Sequence, residues 1–255
     1  MLTEWEAIQK RVSCRAYQDR RIDGATLKQM EEKVQELNRA SGLHFQFYTT
    51  RNAGEPALKL SPAMFSGNVY HYAALVGGED PLSAEKVGYY GQKLVLYATR
   101  LGLGTCWVAG TYDANSIQVE LAQGEKVWDV VPMGYPLEKT PMKQKMIRSG
   151  IRARDRKLEQ FVESETAFAA LPEWLQKAVE AVRLGPSAVN QQPVNIVCRD
   201  GTVRAKLWKS GHGLEFNDLG IAKCQFEAGA AAHGVRGAWD FGDGGEFHIQ
   251  SEETA

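Results

Sequence analysis

The period of the apolar positions changes several times along the chain, and each change marks an element. Trp5, Ile8 and Val12 recur at helical spacing and predict a first helix that closes at or just before Arg11. Asp23-Gly24 breaks the pattern, and Thr26 suits the N-cap of a helix from Leu27 to about Ala40, with Leu27, Met30, Val34 and Leu37 on one face. Ser41-Gly42 ends it, and Leu43 to Thr50 alternates like a half-buried strand. Residues 51–68, rich in Gly, Pro, Ser and Asn, predict a long loop, and Tyr72 to Gly77 is a short apolar strand of the buried kind. From Tyr89 a helix follows in which Leu94, Val95, Leu96, Tyr97, Ala98 and Leu101 cover much of the circumference, which predicts a helix enclosed by protein. Gly102 and Gly104 end it, a loop runs through Thr105 to Gly110, and Val127 to Pro136 returns as strand.

A second series begins at Pro172, suited to a first helical turn, and runs to Leu184. Gly185 to Pro193 (GPSAVNQQP) is a turn, Val194 to Cys198 a strand, Asp200-Gly201 a hairpin signal, and residues 218–234 a helix of small apolar residues. The two series share a feature: a helix closes on Gly and a Trp follows five positions later, at Gly102 and Trp107 and again at Gly234 and Trp239. This predicts a single globular unit over 1–255 made of two degenerate copies, one over about 1–155 and one over about 156–241, with a flexible tail at 242–255. The copies are unequal. The first carries Arg11 to Arg15 (RVSCR) but no elaborated turn, whereas the second carries the turn and no counterpart of RVSCR, so a two-fold arrangement would complete one site rather than two.

Composition removes several classes of function. Thirty Lys plus Arg against 31 Asp plus Glu give a formal charge of -1, so no molecule-wide field favours nucleic acid or an anionic membrane. No run approaches the roughly 20 apolar residues that span a bilayer, and the first residues lack the apolar core of a signal peptide; a cytoplasmic protein is expected. Four scattered cysteines and five isolated histidines offer no metal-ligand spacing, so no metal is expected and the thiols are expected to be free. Seven basic residues between Lys143 and Lys157, with Asp155 the only acid, read in isolation as a solvated connector. The turn at Gly185 to Pro193 reads either as an ordinary corner or as a rigid one with polar groups left over to hold a ligand.

RVSCR near the start, the Pro-Ser-x-x-Asn-x-Gln-Pro turn and a helix ending Gly-Leu-Gly-Thr-Cys-Trp before a Gly together resemble the nitroreductase family of flavin enzymes, in particular its branch of fused, subunit-like halves. The resemblance runs from about Trp5 to Trp239. It implies an α+β, three-layer fold in which mixed, mainly antiparallel sheets are flanked by helices, and the two halves pack as an intrachain pseudo-dimer around long central helices. FMN is the implied cofactor, with NAD(P)H and a small nitroaromatic or quinone-like acceptor as partners and a monomer as the working state. Carried over residue by residue, Arg11 and Ser13 would hold phosphate or ribityl and Arg15 would reach the pyrimidine edge. Pro186, Ser187, Ala188, Asn190 and Gln192 would meet ring and ribityl from the other half, the Gly110 backbone N–H would face flavin N5, and Arg154 and Arg156 would add phosphate contacts. Many relatives carry Glu just before that Gly, where this chain has Ala109. The chemistry would be hydride transfer on the flavin, so no side chain is named as catalytic. Two other readings are a flavin-binding protein without nicotinamide turnover and a pseudoenzyme without FMN.

Overall fold

A computed structural model describes residues 1–50 and 54–250. Helix α1 (Glu4–Lys10) is closed at its front by a capping box between Thr3 and Glu6. Helix α2 (Gly24–Ser41) is capped by Asp23 rather than Thr26: the helix begins at Gly24, so Thr26 is already its third residue and its amide is the orphan donor that Asp23 Oδ1 accepts at 2.9 Å. Strands β1 (Gln46–Thr49), β2 (His71–Gly78), β3 (Gly104–Thr105) and β4 (Glu125–Gly134) make one antiparallel sheet in the order β1-β2-β4-β3. Between β2 and β3 runs helix α3 (Pro81–Arg100), which starts eight residues before Tyr89 on an Asp80 cap with Pro at its head.

The basic run at 143–157 is not a bare connector. Residues Met142–Arg152 form helix α4. Strand β5 (Val162–Ser164) then lies parallel to β6 (Val194–Arg199), and β6 pairs with β7 (Thr202–Leu207) through the expected hairpin, Asp200 and Gly201 both having positive φ. Helix α5 (Glu173–Leu184) precedes β6, and helix α6 (Glu215–Ala232) follows β7. Residues 242–250, expected as part of a flexible tail, turn back so that β9 (Phe247–Ile249) pairs with β8 (Gly237–Trp239) and buries Phe247 against Phe226 and Trp239. The rest of that expected tail, 251–255, and the first three residues of the expected loop at 51–68 lie outside the described residues.

Helices α3 and α6 are buried on most of their surfaces and cross at the centre. Two glycines set their separation. A Cβ on Gly220 would stand 1.9 Å from the Glu85 carbonyl oxygen, and one on Gly88 would stand 2.0 Å from that of Asn217. Beside the crossing, Lys223 Nζ donates to Glu85 Oε1 at 2.5 Å and to the carbonyls of Asp240 and Gly242 at 2.8 Å, while the Gly242 amide donates to Glu85 Oε2 at 2.6 Å. Every polar atom of this fully buried pair therefore has a partner, which is the condition for tolerating charge at such depth. Among the described residues no helix is long and apolar enough to cross a membrane.

His71 fixes the entry to β2. Its Nε2 accepts from the Ile22 amide at 3.0 Å and its Nδ1 lies 3.0 Å from the Thr49 hydroxyl. Burial first, and the charge of Arg21 second, push its pKa down to about 4. The folded state keeps the ring neutral where the unfolded chain protonates it, so this contribution is present above the ordinary histidine pKa and is lost as pH falls toward 4. The expected loss is about 2–3 kcal/mol on going from pH 7 to 4.5. Urea denaturation of the protein and of His71→Gln across that window checks this, and parallel pH profiles for the two would show that His71 carries no such term.

Candidate functional site

RVSCR leaves α1 and runs alongside β3: the Cys14 amide donates to the Thr105 carbonyl at 2.8 Å, and Ser13 bridges Thr105 in parallel register. Gly104 permits this approach, since a Cβ there would sit 2.6 Å from Cys14 Sγ. The segment thus forms one wall of a cavity of about 310 Å³ lined by Arg11, Ser13, Arg15, Thr105, Gln144 and Arg148, among others. Gln144 and Arg148 enter it from the inner face of α4, four residues apart.

The electrostatics of this cavity are one-sided. Burial pushes the Arg11 guanidinium down to about 10; Cys106 opposes this, and the charges of Arg148, Arg15 and Arg152 reinforce it. Among the described residues no carboxylate forms an ion pair with Arg11, Arg15, Arg148 or Arg152. Arg11 Nε is buried without a hydrogen-bond partner among the described residues. A converging set of guanidiniums with a spare donor is what a phosphate-sized anion requires.

The end of α5, just before the turn, meets Arg11, whose Nη2 donates to the Leu184 carbonyl at 3.2 Å. The contact is made by Leu184 and not by the turn itself, none of whose residues lines the cavity. The turn's polar groups are more engaged than its sequence suggests. Ser187 Oγ accepts from the Gln192 amide at 2.9 Å, and Asn190 Nδ2 donates to the Ile151 carbonyl at 3.0 Å and to Asp155 Oδ1 at 2.9 Å. Gln192 Oε1 accepts from the Arg156 amide at 2.8 Å, and Ala188 N–H donates to Asp218 at 2.9 Å. Pro186 is half-buried at the head of the turn, with no polar group to place.

Helix α4 ties the two parts together. At one end Gln144 Nε2 donates to the carbonyls of Arg15 and Met64, at 3.3 and 2.9 Å; at the other the Ile151 carbonyl accepts from Asn190. This clasp and its Arg148 escaped sequence reasoning, although the inward residues Gln144, Arg148 and Ile151 sit at i, i+4 and i+7, which is a legible helical face.

Three further expected positions, like those of the turn, lie off the cavity lining. Arg156 donates to the carbonyls of Gln192 and Val194 at 2.8 and 3.2 Å and to Asn195 Oδ1 at 2.6 Å, and also to the Gln160 carbonyl. Its guanidinium lies 4.3 Å from the Phe161 ring centre and 4.8 Å from that of Trp208, so it braces the base of the turn. Arg154 is exposed and does not line the cavity. Gly110 lies in an exposed loop beside a second, open hollow that includes Lys59, Ser61 and Tyr112.

Comparison with known proteins agrees on one family. The model of the family described as "Putative TM nitroreductase" matches residues 4–230. Among solved structures, a protein from Thermotoga maritima described as a "putative nitroreductase" is 20% identical, with 97% of this chain and 93% of that one covered at a TM-score of 0.62. A nitroreductase family protein from Clostridium difficile is 18% identical, covering 65% of this chain and 99% of its own at 0.46. A nitroreductase with bound FMN from Bacteroides fragilis is 14% identical, covering 56% and 92% at 0.38. No curated protein matches the chain.

Proposed function

The chain belongs to the TM nitroreductase family and is an oxidoreductase, and from that premise we propose that it binds one FMN per chain in the cleft between RVSCR and the Gly185–Pro193 turn and oxidises NAD(P)H. The observation that carries this reading is the half-buried Arg11, whose buried Nε has no partner among the described residues, set beside Arg15 and Arg148 on the cavity wall. The donor set fits the phosphate end of FMN: Arg11, Ser13, Arg15 and Arg148 would hold it, with Arg152 adding field from the next turn of α4. Pro186, Ser187 and Ala188 would border the ring from the other half. Arg156, already satisfied, supports the turn rather than the phosphate.

When bound, FMN supplies two-electron transfer from NAD(P)H to a small acceptor such as a quinone or nitroaromatic. The protein's part is to bind and orient. Arg11 and Arg148 would offset anionic charge in a partly enclosed cavity, and α4 links RVSCR to the turn through Gln144 and Ile151. Four free thiols, three of them buried, suit the reducing cytoplasm, where NAD(P)H is also available.

The single site follows from a duplicated chain acting as its own dimer. Both halves present helix, two antiparallel strands, long helix and strand in that order: α2-β1-β2-α3-β3 and α5-β6-β7-α6-β8. At the centre the correspondence is residue by residue. Gly88 faces the Asn217 carbonyl and Gly220 faces the Glu85 carbonyl, so exchanging the halves exchanges the two contacts. Gly102 and Gly234, which end the two helices, have φ of 81° and 85°.

Purified protein reconstituted with FMN should show one flavin per chain and should oxidise NADH or NADPH with menadione or a nitroaromatic. Protein that takes up no flavin would refute the cofactor, and two equivalent flavins would refute the split site. A bound flavin that neither nicotinamide reduces would leave a binding protein without turnover, the reading that the exposed position of Gly110 favours.

A further inference from the structure

We propose that Asp218 is a positioning residue for the Gly185–Pro193 turn, and that its ionisation sets how firmly the turn is held against the ligand beside it. The identity of that ligand as FMN rests on the function proposed above; the hold on the turn does not.

The turn needs holding. Val189, Asn190 and Gln192 have φ of 45°, 56° and 47°, three non-glycine residues in the left-handed region within four positions. Each costs on the order of 1–3 kcal/mol, with a β-branched Val the least tolerant. Internal bonds do not suffice to impose such a path, because the Asn190, Gln191 and Gln192 amides all donate back to Ser187 or Ala188 within the turn itself. At its leading edge the turn is tied to the body by Ala188 N–H, which points between the two oxygens of Asp218 at 2.9 and 3.2 Å.

Asp218, in the first turn of α6, is 3% exposed, and its charge raises the cost of ionising Asp129 on β4, itself 4% exposed. Asn217 Nδ2 donates to Asp129 at 3.4 Å. Neither carboxyl meets a Lys or Arg in an ion pair among the described residues. The other titratable groups facing Asp218 are Glu215 and His212; His212 Nε2 is 3.7 Å from Asp218 Oδ2 and buried without a partner among the described residues. The turn contributes no titratable group. Of the charges on α3 and α5, Glu85 pairs with Lys223, Lys93 with Glu227 and Lys177 with Glu180, whereas Arg183 in the last turn of α5 has its Nε buried without a hydrogen-bond partner among the described residues.

Two buried carboxyls with no Lys or Arg paired to either resist ionising together. Burial and then Asp218 push Asp129 far up, so it retains its proton. Burial pushes Asp218 to about 7, partly opposed by the Ala188 N–H and reinforced by Glu215. Above that pH the Ala188 bond is charge-assisted; below it the acceptor is a neutral acid and weaker. The folded state holds this proton more tightly than the unfolded chain, so the Asp218 contribution to global stability falls as pH rises from about 4 to 7. The hold on the turn changes in the opposite direction. A residue that merely supported the fold would move both together.

Amide exchange of the full-length apoprotein at pH 6 and pH 8, corrected for intrinsic rates, tests this on Asp218→Asn and Asp129→Asn. In the unaltered protein, protection at Ala188 and Gln192 should rise about tenfold between the two pH values. Asp218→Asn should be equally unprotected at both, and Asp129→Asn should keep the dependence, because the replaced group carried the proton. FMN affinity at pH 8 should fall about tenfold in Asp218→Asn, with the gap narrowing at pH 6. Unchanged protection in Asp218→Asn at pH 8, or loss of the dependence in Asp129→Asn, would overturn the proposal. Should the unaltered protein bind no FMN, the function fails and the exchange result still decides the role of Asp218.

Discussion

Gly220→Ala is expected to destabilise the protein by at least about 3 kcal/mol, at the upper end of overpacking costs. The added Cβ would stand 1.9 Å from the Glu85 carbonyl oxygen and 2.6 Å from the Tyr89 nitrogen, and both are backbone atoms that cannot rotate away. Relief requires α3 and α6 to part by about an ångström, since close-packed atoms do not approach within 3 Å. Parting them also stretches the Lys223–Glu85 pair, whose partners sit on the same two helices and on the loop after β8. Urea denaturation measures the effect. Gly150→Ala on α4 is the control: a Cβ there meets nothing within 4 Å, so gains of about 0.5 kcal/mol from helix propensity are expected instead. Equal stability of Gly220→Ala and the unaltered protein would mean that the helices do not meet through these glycines.

The same crossing explains which parts of the fold were legible in the sequence. The apolar half of α3, from Leu94 onward, announced itself, as did the β6–β7 hairpin, because in both cases the local pattern and the final environment agree. The first half of α3 did not. Its cap and its Pro are present at Asp80 and Pro81, but Glu85, Gly88, Gly91 and Gln92 interrupt the apolar period and are all buried, Gly88 to let backbones touch, Glu85 to meet Lys223, and Gly91 and Gln92 to receive Trp107. Gly88 and Glu85 answer contacts more than a hundred residues away, which no local period encodes. Helix α4 was hidden for a related reason: it turns Gln144 and Arg148 inward and leaves Met142 and Met146 exposed, the reverse of an ordinary amphipathic helix.

For the candidate site, the residue types were readable and their partners were not. RVSCR marked an anion-binding segment, and Arg11, Ser13 and Arg15 do line the cavity. The basic run marked further cations, yet which of its seven faced inward depended on the phase of α4, which selects Arg148 and leaves Arg154 exposed and Arg156 under the turn. The amides of the turn looked free because their partners, the Ile151 carbonyl that accepts from Asn190 and the Arg156 N–H that donates to Gln192, belong to a segment some forty residues upstream. That distance is closed only when α4 docks.

Arg11→Ala combined with Arg148→Ala is expected to weaken FMN binding by a factor of about 10²–10⁴, each guanidinium contributing about 1.5–3 kcal/mol through charge-assisted bonds. The measurement is quenching of flavin fluorescence on titration with apoprotein, with riboflavin alongside FMN. Since Arg148 lines the cavity and forms no ion pair among the described residues, Arg148→Ala alone should weaken FMN while leaving riboflavin binding unchanged. Arg154→Ala should alter neither, because its side chain does not line the cavity. Apoprotein stability separates this outcome from simple unfolding. In the absence of an anion Arg11 is pushed down to about 10 by burial and by its cationic neighbours, so removing Arg148 relieves repulsion and should leave the apoprotein at least as stable as before. A residue that weakens its ligand when removed, yet costs the empty fold nothing, is held in place for the ligand; if Arg148→Ala instead destabilised the apoprotein and left FMN affinity intact, the guanidinium cluster would be a structural brace and the phosphate would have to be sought elsewhere.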